Sequence, residues 1–345
     1  MELERAAGQA AGAIPEQDDL IQARAEALWP QIATQLGLPA AGARFRRFQV
    51  NSRRQHWRSV LEVRIPQGDR FVLRADFDGS PSSPFAGILQ RHRAAAAALK
   101  PVHGVSAPAI LWQDPEQPYY LMEFAPGDTA FRALEAADYG LGDRAAVVQN
   151  IGLAVAALHR VSAVGERQFW PKPFLTRISK RAQAVRSGQI ELPWPQKFLG
   201  LCALLHRLGR AARGHCFDAA VEHGDLHLRN ILISDETTFF IDFSNQKGIF
   251  PQRDLASIWL ANCPDHLAQE GQAPGYGLVA QADWAAFQQG YGRDLVNDPV
   301  FRFFFARRLF KAWLLLAQKP RPRDQKAVQL ADTYLQVFNA LLAEE

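Results

Sequence analysis

The spacing of apolar residues changes character twice along the chain. From Phe45 to Phe77 they come in short blocks or alternate with polar positions. Three strands are predicted there, over Phe45–Val50, Trp57–Ile65 and Arg70–Phe77, with Gln67-Gly68-Asp69 turning the chain between the last two. Ahead of them a helix is predicted from Asp18 to Leu36, stopped by Gly37, after an Ala- and Gly-rich stretch over residues 1–17. A helix over Phe85–Leu99 and two short strands, Ala109–Trp112 and Tyr119–Phe124, follow. Pro126-Gly127-Asp128 then breaks the chain, and the period lengthens. Val147, Ile151, Val155 and Leu158 fall on one helix face, and further helices are predicted over Pro195–Ala212, Leu255–Ala261, Asp283–Tyr291, Pro299–Ala317 and Lys326–Leu342. Only two short strands, Ile231–Ser234 and Thr237–Asp242, interrupt them. The pattern predicts an α+β protein with a small β-rich lobe, a short connector and a larger helical lobe. The expected domains are a one-helix extension (1–44), an N-lobe (45–124) and a C-lobe (125–345).

Composition adds exclusions more than leads. The chain has 345 residues, 48% of them hydrophobic, enough for a sizeable core, and a net charge of +4, too slight to point to nucleic acid. Cys202, Cys216 and Cys263 have neither metal-ligand nor redox spacing, so a reducing compartment is expected. The N-terminal sequence lacks a basic region followed by an apolar run, and Arg302, Arg307, Arg308 and Lys311 interrupt the most apolar stretch, residues 301–317. The expectation is a cytoplasmic chain without a transmembrane segment.

The chemistry concentrates in residues 221–245. Asp225 and Asn230 lie five apart in a polar loop, Ile231-Leu232-Ile233 follows, the chain turns at Ser234–Glu236, and a second apolar strand ends at Asp242. A hairpin of that length returns Asp242 towards Asn230 and Asp225. Two carboxylates and an amide gathered in this way suit phosphoryl transfer: one carboxylate orients the acceptor hydroxyl and takes its proton, while oxygen ligands hold Mg²⁺. Asp, Asn and Gly also serve turns alone. A His-x-Asp with Asn five residues later and an apolar strand ending in Asp is more than a turn requires.

This segment resembles the catalytic loop and metal-binding strand of the aminoglycoside phosphotransferase and choline kinase superfamily, whose members share a two-lobed protein-kinase-like fold. The matching residues are His223-Gly224-Asp225, Asn230 and Ile241-Asp242-Phe243. The resemblance implies ATP and Mg²⁺ as cofactors, Asp225 as the catalytic residue, Asn230 and Asp242 as metal ligands, and His223 and His227 as support for the loop. Tyr119–Gly127 resembles the last small-lobe strand and the hinge, which implies adenine contacts by backbone near Glu123–Ala125 and a bordering Met122, a residue that reads equally well as core. Leu153–His159 and Arg253-Asp254-Leu255-Ala256 resemble further family segments, and Asp254 is expected to cap a helix or support the loop. The likeness runs over residues 45–345, loosely across 170–215.

The small lobe departs from the family pattern. Where a Gly- or Ser-containing loop is usual, the chain has Asn51-Ser52-Arg53-Arg54-Gln55-His56, in which Ser52 and Asn51 could donate hydrogen bonds to phosphate and Arg53 and Arg54 could meet its charge or form a solvated basic turn. Arg74 stands where the family carries a phosphate-binding Lys, and His92 falls near the position of its partner Glu. Two functions are therefore set side by side: a kinase acting on a hydroxyl of a small molecule, such as an aminoglycoside, amino sugar, choline-like or other alcohol, and an impaired pseudokinase that binds a nucleotide or ligand. Residues 243–345 hold ten acidic and eleven basic side chains, so no acidic cluster marks a cationic acceptor. Trp259, Trp284 and Tyr291 could wall a sugar but suit core packing better. Arg307, Arg308 and Lys311 share one face of their helix and are expected to form a solvated basic surface.

Overall fold

The computed structural model describes residues 22–53, 56–78, 85–244, 248–261, 263, 265, 267–318 and 325–344. The chain folds into two compact units, one of residues 1–97 and 107–126, the other of residues 98–106 and 127–345. Residues 1–17, the first part of the expected helix (18–21) and residues 54 and 55 lie outside the described set.

The first unit is a sheet with a helix on each face. Helix α1 covers residues 22–36 and ends where Gly37 takes φ +66°. Strands β1 (Arg44–Arg53), β2 (His56–Arg64) and β3 (Arg70–Asp78) form an antiparallel meander, followed by α2 (Phe85–Leu99). The next strand, β4 (Val105–Ser106), belongs to the second unit. Strands β5 (Ile110–Gln113) and β6 (Tyr119–Glu123) complete a five-stranded sheet in the order β1-β2-β3-β6-β5. Alternation along the strands sorts the two faces. Leu61, Val63, Leu73 and Leu121 meet Trp29, Ile32 and Ala33 of α1, whereas Val72, Tyr120 and Met122 meet Leu89 and Phe85 of α2. The first hairpin differs from expectation. Pairing continues from Asn51↔Arg58 through Ser52↔Trp57 to Arg53↔His56, so strand replaces most of the expected loop.

The second unit is mainly helical. It opens with β7 (Asp128–Thr129), α3 (Ala130–Asp138) and α4 (Arg144–Val161). A ribbon of β8 (Ala163–Gln168) and β9 (Cys216–Ala220) encloses α5 (Lys172–Arg186) and α6 (Pro195–Ala212). Strands β10 (Ile231–Ile233) and β11 (Thr238–Phe240) precede α7 (Pro251–Leu260), α8 (Gln281–Tyr291), α9 (Pro299–Gln318) and α10 (Gln325–Ala343). The unit therefore carries more strand than the two segments expected, because β4, β7, β8 and β9 are also present. The hairpin lies within a sheet of order β4-β11-β10-β7. Gly127 makes that possible: its φ is +98°, and a Cβ there would lie 2.1 Å from the Ile233 carbonyl oxygen.

Aromatic packing fixes α7 against α9. Phe250, just before α7, lies 5.0 Å from Phe304 and 6.0 Å from Phe169, and Phe174 lies 5.4 Å from Phe304 (ring centroids). Phe169 and Phe304 are fully buried, and each such burial is worth about 1.5–3 kcal/mol. Trp259 and Trp284 are buried core residues with rings 5.1 Å apart. All three cysteines are free, and among the described residues no helix is long and apolar enough to cross a membrane.

Candidate active site

The loop between β9 and β10 is held by one buried carboxylate. Asp254, in the first turn of α7, accepts from the His223 N–H at 2.6 Å and the Gly224 N–H at 2.9 Å. His159 of α4 lies behind it, with Nε2 3.3 Å from Asp254 and Nδ1 3.0 Å from the Tyr291 hydroxyl. Burial pushes the Asp254 pKa up, but His159 and the loop hydrogen bonds outweigh it and hold the carboxyl below its ordinary range. Gly224 takes φ +86°, which turns the next residue, Asp225, outward, and the Asp225 side chain is 62% exposed.

Strand β11 is tied to the same loop. The Ile241 N–H donates to the Asn230 carbonyl at 3.1 Å, and the Ile241 carbonyl lies 2.9 Å from His223 Nε2. That bond places the imidazole proton on Nε2 and leaves Nδ1 to accept from the Asp225 N–H at 3.4 Å. The His223 ring stacks on Phe243, with centroids 4.3 Å apart. Asp242 thus sits between two residues that His223 holds, and its φ of +61° is a left-handed conformation that Asp tolerates better than most residues. Asn230 is buried and donates from Nδ2 to the Asp225 carbonyl at 2.9 Å. Its amide oxygen accepts nothing among the described residues and remains available as a ligand.

His227 shapes the turn that carries Asn230. Its Nδ1 accepts from the Arg229 N–H at 3.2 Å, and its Nε2 faces Asp225 at 3.9 Å, beyond hydrogen-bond length. Burial lowers its pKa more than Asp225 raises it, so the ring is neutral at pH 7. Among the described residues no group of three His, Cys, Asp or Glu side chains could hold a metal ion. A set of one carboxylate and one carboxamide still suits Mg²⁺, which keeps several waters and takes few protein ligands beside substrate phosphates.

A cavity of about 200 Å³ opens beside Asp225 and lies wholly within the second unit. Arg253 of α7 and Arg307, Arg308 and Lys311 of α9 line it. The expectation of a solvated basic face fails here. Packing of α7 on α9 turns the two arginines inward, where both are half-buried, and leaves Lys311 at the exposed mouth. The sequence placed Arg307, Arg308 and Lys311 on one face but did not show that this face meets Arg253 and Asp225. The signal was an α9 of twenty residues that contains no Asp or Glu to balance the cations. A larger cavity of about 420 Å³, beside His159 and Arg293, includes none of Asp225, Asn230 and Asp242.

The nucleotide candidates belong to the first unit. Arg74 is buried on the face of β3 that α2 covers, 5.8 Å from the centre of the Tyr120 ring, so it is not a solvent-facing strand residue. His92 of α2 lies 2.6 Å from the Pro108 carbonyl oxygen; burial first and then the Arg74 charge lower its pKa and keep it neutral. Met122 packs with Val72, Leu89 and Tyr120. Glu123 pairs with Ala109 through both its N–H, at 3.0 Å, and its carboxylate, at 2.9 Å, so its N–H is already engaged within the sheet. Ala125, just beyond β6, keeps both backbone groups without a protein partner among the described residues. The Ser52 side chain lies outside the described residues.

Comparison with solved structures places the fold. A choline kinase from Cryptosporidium parvum aligns with a TM-score of 0.57 at 14% identity, covering 94% of this chain and 96% of that one. A macrolide 2'-phosphotransferase from Brachybacterium faecium aligns at 0.52 and 17% identity, covering 92% and 98%. An amicoumacin kinase in complex with AMP-PNP and Ca²⁺ aligns at 0.54 and 14% identity, covering 84% and 87%. The fold is therefore protein-kinase-like. None of the curated proteins matches the sequence. Residues 35–289, most of the chain, match the model of the phosphotransferase enzyme family (APH), and the chain belongs to that family.

Proposed function

We propose that the protein is an ATP- and Mg²⁺-dependent phosphotransferase that moves the γ-phosphoryl group to a hydroxyl of a small molecule. The observation that carries this reading is the clamp of Asp254 and His223 on both sides of the loop. It leaves Asp225 exposed while fixing the backbone on either side of Asp242. Asp225 accepts the proton of the acceptor hydroxyl, whose oxygen then attacks the γ-phosphorus as ADP departs. Asn230 and Asp242 would hold the Mg²⁺, which neutralises phosphate charge when bound. The AMP-PNP and Ca²⁺ in the related amicoumacin kinase are consistent with a nucleotide and a divalent ion here.

A pseudokinase reading draws on the first unit, where neutral His92 faces buried Arg74 in place of the usual ion pair. Titration calorimetry with ATP, with and without Mg²⁺, followed by ADP release against a panel of alcohols, separates the two. Mg²⁺-dependent ATP binding with acceptor-stimulated ADP release is expected. ATP bound without turnover of any alcohol would favour the pseudokinase, and no binding at millimolar ATP would end the kinase reading.

A further inference from the structure

The cavity beside Asp225 contains three acids and four cations, and the acids do not cancel the cations. Glu222 is committed to Arg253, 3.0 Å away, and accepts the Phe250 N–H at 3.0 Å. Asp254 is committed to the loop N–H groups and His159. Asp225 is the remaining acid. Arg307, Arg308 and Lys311 form no ion pair with any carboxylate among the described residues. Among the described residues Arg308 hydrogen-bonds to the Ser257 hydroxyl, at 3.5 Å, with the Asp225 charge acting on it from a distance, and Arg307 lies over the Phe174 ring at 4.7 Å. Such contacts orient a guanidinium without neutralising it.

We propose, resting on the phosphotransferase reading above, that the acceptor is a small alcohol bearing an oxyanion, a carboxylate or a phosphate, held by Arg307, Arg308 and Lys311 while its hydroxyl meets Asp225. The lining decides between the acceptor and the donor as the source of that anion. Asp225 borders the cavity, and the two candidate metal ligands, Asn230 and Asp242, do not. The general base touches the acceptor, so a cavity with the base and without the metal ligands belongs to the acceptor. Size narrows the class further. About 200 Å³ lies below the roughly 300–1,000 Å³ of pockets that enclose drug-sized ligands, which suits a hydroxy acid or a phosphorylated polyol better than an aminoglycoside. Positive charge crowds the site even when empty. Partial burial, with Arg307, Arg253 and Arg308 around it, pushes the Lys311 pKa down to about 8.

The test uses matched probes on the whole chain: glycerol 3-phosphate against glycerol, gluconate against glucose, and choline as a cation. ADP release and calorimetric binding are both read, on wild type and on Arg308→Gln and Lys311→Gln. Only the anionic member of a pair is expected to bind and to stimulate ADP release. Each variant should weaken that binding by about 10- to 100-fold while changing the KM for ATP less than about twofold. Lys311 is exposed, so its variant tests the proposal even if Arg308→Gln misfolds. Turnover restricted to neutral or cationic acceptors would overturn the inference and leave the kinase standing. So would the absence of binding by every anionic probe and by inorganic phosphate at 10 mM (roughly ten times a millimolar Kd), or a rise in the KM for ATP that matches the loss of acceptor binding. A protein that fails to bind ATP yet binds the anions would sink the kinase reading instead.

Discussion

In the first unit, Glu62 is buried on β2 and meets Arg46 at 2.7 Å, Arg64 at 3.2 Å and Arg70 as well. In the second unit, Arg307, Arg308 and Lys311 surround a cavity and no carboxylate pairs with any of them among the described residues. Both regions gather arginines, with opposite electrostatic results. Burial pushes the Glu62 pKa up, but hydrogen bonds from Arg70 and Arg64 pull it below its ordinary range, so the ionised acid is favoured. Burial first and then the Arg253 charge, only partly offset by Glu222, bring the Arg307 pKa down to about 10, so the guanidinium stays charged at pH 7 at a higher cost than in water. The Glu62 cluster supports the fold by itself. In the cavity cluster, Glu222 and Asp225 offset the positive charge only in part, which costs the empty protein stability.

Asp225→Ala should give the largest break in this comparison. Loss of the base is expected to lower acceptor-stimulated ADP release by about 10²–10⁴-fold. Because Asp225 is exposed, the melting temperature should move by less than about 2 °C. A large thermal shift with retained turnover would place the base elsewhere. Glu62→Gln should do the reverse, removing about 1–3 kcal/mol of stability in urea unfolding while leaving turnover per folded molecule in place. The wild-type contribution of Glu62 is present above the ordinary carboxyl pKa and is lost as pH falls through the depressed folded value, so the gap between variant and wild type should close in acid.

Lys311→Met should act with the opposite sign, adding about 0.5–1 kcal/mol to the stability of the ligand-free protein while weakening its hold on anions. A destabilised Lys311→Met would show that the cluster is balanced by something else. The finest effect is on pH. Lys311 faces Arg253, Arg307, Arg308 and Glu222, with Asp225 in the same cavity, and it is charged below about pH 8 and neutral above. The KM for an anionic acceptor should therefore rise a few-fold, about 3- to 10-fold, between pH 7 and 9. Lys311→Met should flatten that rise, and an unchanged slope would remove Lys311 from the site.

The hairpin that carries the candidate site was legible in the sequence because it is local. Asp225, Asn230 and Asp242 lie within eighteen residues of one another, and the two short apolar strands between them pair in antiparallel register. The helices over Phe85–Leu99 and Pro195–Ala212 were equally legible from apolar spacing. The cavity was not, because it joins Glu222, Arg253 and Arg307 from three distant stretches, which the packing of Phe169, Phe174, Phe250 and Phe304 brings together. Periodicity shows that Arg307, Arg308 and Lys311 share a face but not what that face meets. The β8 strand escaped because every residue from Ala163 to Gln168 is exposed, which removes the alternation that marks a strand, and β4 and β7 are too short to have a period.

The parallel pairing of β11 with β4 bears on any attempt to prepare the second unit alone. Thr238 and Phe239 pair with Val105 and Ser106, and the Thr238 N–H donates to the Gly104 carbonyl at 2.9 Å. A fragment that begins at Gly127 would omit residues 98–106 and strip that neighbour from the hairpin leading to Asp242. Its β11 would then offer an open row of amides and carbonyls to other chains, an invitation to self-association. A soluble fragment of the second unit must therefore keep the 98–106 segment, grafted through a linker or supplied as a peptide.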